Sequence, residues 1–159
     1  MLSLCRARYL SSPLCVGADM SIVISDKPLE LCDWTCPPHH GAEAEFRGVV
    51  RNHHGGRSVV SVTYDIEPEL CRKTLENLIA EATQEWGKET NVFLAHRFGR
   101  INVGEASVLI RVSHVHRKEA FEACRYVIEE LKRRAPIWKK EHYVDGESAW
   151  LEGHSLCQH

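Results

Sequence analysis

Five cations crowd the stretch from Leu131 to His142 (LKRRAPIWKKEH): Lys132, Arg133, Arg134, Lys139 and Lys140, set against Glu141 alone. Side chains at that density bind anions. A lysine among other cations also has its ammonium form disfavoured, which brings it toward proton transfer or nucleophilic attack. A plainer reading is that Lys132, Arg133 and Arg134 complement the negative end of a helix dipole. However, Pro136-Ile137-Trp138 reads as a rigid, aromatic-anchored turn, and Lys139-Lys140 continue the charge beyond the helix. That arrangement resembles the wall of a site more than a solvated face.

Two further groups suit anions. His116-Arg117 opens the helix that ends at these lysines, and a helix N-terminus offers unpaired N–H groups to phosphate or carboxylate. Arg51 stands at the end of a strand before His53-His54-Gly55-Gly56, where a guanidinium can grip an anion through two hydrogen bonds. His116 and Lys132 lie far apart in one helix, about 24 Å at 1.5 Å rise per residue. One small-molecule pocket within a single chain cannot use both. The spacing favours a dimer, in which His116-Arg117 of one subunit faces Lys132 of the other, over two separate sites. Cys32-x3-Cys36-x2-His39-His40 approaches a zinc half-site, but Pro37-Pro38 interrupts it and no second Cys/His pair has matching spacing. No metal site is expected there. Walker, GxSxG, HExxH and GxGxxG motifs are absent from the sequence, which removes the commonest nucleotide and hydrolase readings.

The elements that must hold these residues follow from periodicity. Ser21–Ser25 reads as a short strand, and Cys32 to Gly41 as a loop that its prolines keep from being helical. Ala42–Val50 and Ser58–Glu67 alternate with a period of two, and Arg51–Gly56 joins them as a β-hairpin. Pro68 starts a helix running to Trp86, with Leu75, Leu78, Ile79, Ala82 and Trp86 as its apolar stripe. Strands are expected at Asn91–Phe98 and Ala106–Ser113, joined by a Gly99…Gly104 turn. A second helix spans His116–Ala135, buries Ala120, Cys124, Val127, Ile128 and Leu131, and stops at Pro136. The expected fold is α+β, one domain with an antiparallel sheet and two main helices covering one of its faces.

Composition sets the outer bounds. With 159 residues, 20 basic against 22 acidic side chains and a net charge of −2, the chain suits one globular domain. The near-neutral balance disfavours generic nucleic-acid binding. The longest strictly apolar run, Val92–Ala95, is too short to span a membrane. Seven cysteines (5, 15, 32, 36, 71, 124 and 157) form no disulfide framework, and the expected compartment is a reducing one, the cytosol or an organelle matrix, with the cytosol favoured. Residues 1–19 read as a disordered extension, or as an upstream start with Met20 the working one. A mitochondrial leader is the second reading, because residues 1–18 hold Arg6, Arg8 and three serines and no acid. Residues 20–152 form the domain and 153–159 a flexible tail.

Three strings carry a family resemblance: FRGVVRNH at 46–53, HRKEAFEA at 116–123 and LKRRAPIWKKE at 131–141. Their order and spacing resemble the large, catalytic subunits of molybdopterin synthase, over roughly residues 20–152. The resemblance implies an α/β hammerhead-like fold and a sulfurtransferase of molybdenum-cofactor biosynthesis. Such an enzyme inserts two dithiolene sulfurs into cyclic pyranopterin monophosphate. It implies a partner, a ubiquitin-like small subunit whose C-terminal Gly-Gly carries the sulfur as a thiocarboxylate. Two large subunits form a central dimer within a heterotetramer, and no metal or other cofactor is required. The family's substrate-binding residues match Arg51, His116, Arg117, Lys132, Lys139, Lys140 and Glu141, and its essential lysines match Lys132 and Lys139. In those roles Lys132 acts as acid/base or attacks the activated carboxyl, and Lys139 holds a phosphate or a developing oxyanion. The pattern departs at Val49, where the family can carry lysine, and after Trp150, where His154 is the basic candidate. Two competing readings are a non-catalytic scaffold of the same family and a basic nucleotide-binding module. The second is disfavoured by net charge and by the lack of an aromatic stacking platform.

Overall fold

The computed structural model describes residues 21–29 and 34–151. The expectations for residues 1–19, Cys32 and 153–159 lie outside them. Chain order is β1 (Ile22–Ser25), β2 (Ala42–Val49), β3 (His53–His54), β4 (Arg57–Ile66), α1 (Pro68–Trp86), β5 (Asn91–Arg97), β6 (Gly99–Asn102), β7 (Ala106–His114), α2 (Arg117–Arg134), β8 (Ile137–Tyr143) and β9 (Ser148–Leu151). Pro68 sits in the first turn of α1, and the Glu67 carboxylate caps it by accepting from the Leu70 N–H at 2.6 Å.

The mixed α+β architecture is as expected, but the strands divide into two sheets. One has the order β1-β5-β7-β2, and the other has β3-β4-β8-β9 with β6 also paired to β4. All pairs are antiparallel except β1 with β5. Leu75, Leu78 and Ala82 of α1 join Ala123, Val127 and Leu131 of α2 in packing against Leu94, Ile110 and Val112 of the first sheet. Both helices therefore cover one face of that sheet, as their apolar stripes require. A second core of Val50, Val59, Val62, Ile101 and Tyr143 holds the other sheet together. Neither helix is long and apolar enough to cross a membrane among the described residues.

Three expectations are corrected. The Ala42–Val50/Ser58–Glu67 hairpin does not form, since β2 pairs with β7 while β4 pairs with β8 and β6. A register shift at Gly48/Val49 ends the β2 ladder, and buried Val50 bonds to Glu105 and Gly104, carrying the chain into the second sheet. Within 42–67 it is β3 and β4 that make a hairpin, turned by Gly55 and Gly56 at φ 55° and 78°. Second, the Gly99–Gly104 segment is not a plain turn, because it lays β6 along β4 before β7 returns to the first sheet. Third, Pro136 does end α2, yet Ile137–Tyr143 is a strand and not a rigid turn. Its inward positions Ile137, Glu141 and Tyr143 are buried, so the period of two outweighs the local turn signal.

Candidate active site

Strand β8 sorts its charged residues by alternation. On one side Glu141, only 1% exposed, receives three partners. Lys139 Nζ lies 2.7 Å from one carboxylate oxygen, while His54 Nδ1 at 2.8 Å and the Tyr143 hydroxyl at 3.0 Å donate to the other. Burial pushes the Glu141 pKa up. The hydrogen bonds from Lys139 and His54, together with the lysine's charge, outweigh that and hold it below the usual carboxylate value. The Tyr143 hydroxyl is pushed the other way by burial and by the same carboxylate. His54 arrives there because β3 pairs with β4, and β4 sets Val62 opposite Glu141.

The opposite side of β8 carries Lys140 and His142. Lys140 Nζ stands 5.5 Å over the Trp150 ring, and His142 Nε2 lies 2.8 Å from Thr63 Oγ1. Burial, followed by the charges of Arg100 and Lys140, lowers the His142 pKa. Lys139 and Lys140 therefore do not extend one continuous cationic wall.

The helix end resolves similarly. Arg133 pairs with Glu130 at 2.7 Å, and Arg134 grips both oxygens of Glu81 at 2.6 and 2.8 Å. Half-buried Lys132 lies between the core residue Leu131 and these pairs, with no hydrogen-bond or ion-pair partner among the described residues. The crowd of five cations is thus two neutralised arginines, one lysine on a buried carboxylate, one on an indole and one without a counter-ion.

His116 is the N-cap of α2, exposed and making no side-chain cap bond. Its N–H instead donates to His114 Nδ1 at 3.2 Å. Exposed Arg117 begins the 18-residue α2 and Lys132 stands in its last turn, so most of the helix separates this pair from Lys132 as the spacing predicts. Arg51 is exposed between β2 and β3, three residues before His54, and no hydrogen bond or ion pair joins it to Lys132 or His116 among the described residues. The structure therefore brings Lys139 and Glu141 together and leaves Lys132, Arg51 and the His116-Arg117 pair as separate cationic points. His54 and Tyr143 are the residues that sequence reasoning missed. Tyr143 was detectable from its period of two with Glu141, whereas the His54 contact depends on cross-strand register.

A buried carboxylate holding an ammonium, together with a lysine in the last turn of α2 that has no counter-ion among the described residues, suits an anionic ligand. The family model described as "MoaE protein" matches residues 24–134. Curated molybdopterin synthase catalytic subunits are similar. That of Synechococcus elongatus is 52% identical over 119 residues, covering 75% of this chain and 72% of the relative. That of Arabidopsis thaliana is 39% identical over 126 residues, covering 79% and 63%. The crystal structure of molybdopterin synthase from Staphylococcus aureus superposes with a TM-score of 0.77 at 31% identity, covering 82% of this chain and 96% of that one. The chain belongs to the MoaE family. It is an enzyme subunit of the molybdopterin synthase class.

Proposed function

We propose that the chain transfers sulfur to cyclic pyranopterin monophosphate, forming the dithiolene of molybdopterin. The sulfur comes from the C-terminal Gly-Gly thiocarboxylate of a ubiquitin-like small subunit. The observation that carries this reading is Lys132. Its helical neighbours Arg133 and Arg134 are matched by Glu130 and Glu81, while Lys132 keeps no counter-ion among the described residues. An unpaired lysine at that point can, as its ammonium, receive the negative thiocarboxylate and donate a proton, or, once deprotonated to the amine, attack the acyl carbon and expel hydrosulfide. Lys139, fixed by Glu141, takes the electrostatic role against a phosphate or a developing oxyanion. Arg51, His116, Arg117 and Lys140 bind the rest of the substrate.

The two ends of α2 are too far apart for one pocket, so His116-Arg117 of one large subunit completes the Lys132 pocket of its partner. Two small subunits then dock on a dimer, giving a heterotetramer. The domain spans 20–152, with extensions on either side. Described cysteines Cys36, Cys71 and Cys124 are all free, which supports work in the reducing cytosol. The test is single-turnover sulfur transfer with a thiocarboxylated small subunit, with tails ending in Gly-Gly and Gly-Val. Only glycine lets the tail thread a narrow channel, so the Gly-Val tail should dock but fail to transfer. Equal turnover by both tails would refute the threaded tail.

A further inference from the structure

Away from β8, ligand-type side chains converge where the loop before β2 crosses the turn between α1 and β5. His39 Nε2 lies 2.7 Å and His40 Nε2 3.3 Å from the same atom, Oε2 of Glu89. The two imidazoles stand edge to face with centroids 4.6 Å apart, and one ligand atom from each of the three residues lies within 4.8 Å of the others. We propose that His39, His40 and Glu89 form a site for a divalent transition-metal ion, zinc above all, which fastens the 34–41 loop beside the N-terminus of α2.

Two imidazole nitrogens and a carboxylate oxygen are a donor set that zinc and its neighbours accept. A tetrahedral ion with bonds near 2.0–2.1 Å keeps its ligand atoms about 3.3 Å apart. The His40–Glu89 separation of 3.3 Å already meets that, and the 2.7 Å His39–Glu89 separation must widen slightly. It can, because the His39 and Glu89 side chains are 62% and 53% exposed.

His40 is the preorganised member. Its side chain is only 3% exposed, and its Nδ1 lies 2.9 Å from the hydroxyl of Ser113, which is itself buried. Without an ion, Nε2–H donates to Glu89 and Nδ1 accepts from the Ser113 hydroxyl. The other tautomer, which donates Nδ1–H to that hydroxyl, turns the Nε2 lone pair to a cation held between the imidazole and the carboxylate. The same outer hydrogen bond orients metal-bound imidazoles generally. Cys36 turns its thiol to the Pro37 carbonyl at 3.6 Å, so solvent completes the coordination. Sequence spacing does not reveal this set, because its third member is a carboxylate 49 residues beyond His40.

The position suggests a structural task. His40, His114 and His116 follow one another with ring centroids 6.3 Å apart at each step. The Gly41 N–H also bonds the Val115 carbonyl at 3.3 Å, so the loop abuts the residue before the N-cap. An ion at Glu89 would hold the strap against which His116 and Arg117 are placed.

The test titrates the full chain, stripped with chelator and dialysed, with Co²⁺ followed by visible absorption and with Zn²⁺ followed by calorimetry. The expected result is one ion per chain, and a Tm that rises with Zn²⁺. His39→Ala and Glu89→Gln should each weaken binding by at least about tenfold and abolish the Tm rise. Both change exposed side chains, and circular dichroism verifies folding. Because the chain has ten histidines, His53→Ala serves as the control that retains affinity. Absence of stoichiometric binding, or wild-type affinity in His39→Ala and Glu89→Gln, would overturn the site and leave a hydrogen-bonded His–Glu cluster. None of these readouts involves sulfur transfer, so the site stands or falls independently of the proposed reaction.

Discussion

An ammonium 2.7 Å from a carboxylate that is 1% exposed is fixed in place, whereas one without an anionic neighbour remains available. That contrast separates Lys139 from Lys132. Lys132→Ala is expected to abolish sulfur transfer while lowering stability by less than about 1 kcal/mol, because nothing in the fold depends on its charge. Lys132→Arg should fail as well, since a guanidinium does not give up its proton near neutral pH. Transfer assays alongside urea unfolding decide this, and an active arginine variant would reduce Lys132 to an electrostatic role. Glu141→Gln should behave differently. It takes the charge from a buried group that serves Lys139, His54 and Tyr143, so a stability loss of about 2–3 kcal/mol is expected by denaturant unfolding. Wild-type stability in that variant would show that the network contributes nothing. Lys139 and Glu141 were recognisable by type and spacing alone. Their relation was not, because a sequence does not reveal which of two neighbouring lysines faces the carboxylate until the strand assigns the sides.

Most element spans were legible. Val62, Tyr64 and Ile66 fall in step, although an irregularity between Val59 and Ser61 buries Val59 and exposes Val60, which the expected alternation placed with them. The helical stripes repeat every three to four residues, and Pro68 and Pro136 mark helix borders. Pairing was not legible, because a period of two fixes a residue's face and says nothing about its neighbour. Adjacency in the chain suggested that β2 and β4 pair, and β6 and β9, four residues each, are too short to announce themselves. Two element-level tests follow. A Cβ on Gly41 would stand 2.9 Å from the backbone oxygen of Val115, so Gly41→Ala must shift the segment leading into α2. It should cost about 1–2 kcal/mol and displace the amide resonances of His116 and Arg117 in NMR spectra. An unchanged spectrum would mean the close approach is slack. On β5, burial lowers the His96 pKa to about 4, and its Nδ1 has no partner. The folded state thus keeps His96 neutral while the unfolded chain protonates it near pH 6.5. Stability is complete above that pH and declines as pH falls toward 4, by about 3 kcal/mol in all. His96→Leu should remove that part of the pH dependence in urea unfolding between about pH 7.5 and 4.5, and an identical slope would place the titration elsewhere.

At the scale of the assembly, the length of α2 makes a specific demand. If His116-Arg117 of one subunit serves the Lys132 pocket of the other, then Arg117→Ala and Lys132→Ala chains, each inactive alone, regain part of their activity when mixed. One of the two pockets in such a heterodimer carries neither change. Verified heterodimers without any recovery would argue for pockets built within single subunits. The topology of the second sheet also has a consequence in time. His54 and Glu141 are 87 residues apart, which at ribosomal rates of roughly 5–20 residues per second is an interval on the order of 4–17 s. Throughout it the ten-residue β4, with Val59, Val60 and Val62 along it, lacks its main neighbour β8. An unpaired strand edge of that kind recruits other chains. A nascent chain stalled before Ile137 would therefore be both incompetent and adhesive, and slowed translation of the α2–β8 stretch should reduce soluble yield more than slowing anywhere downstream of it.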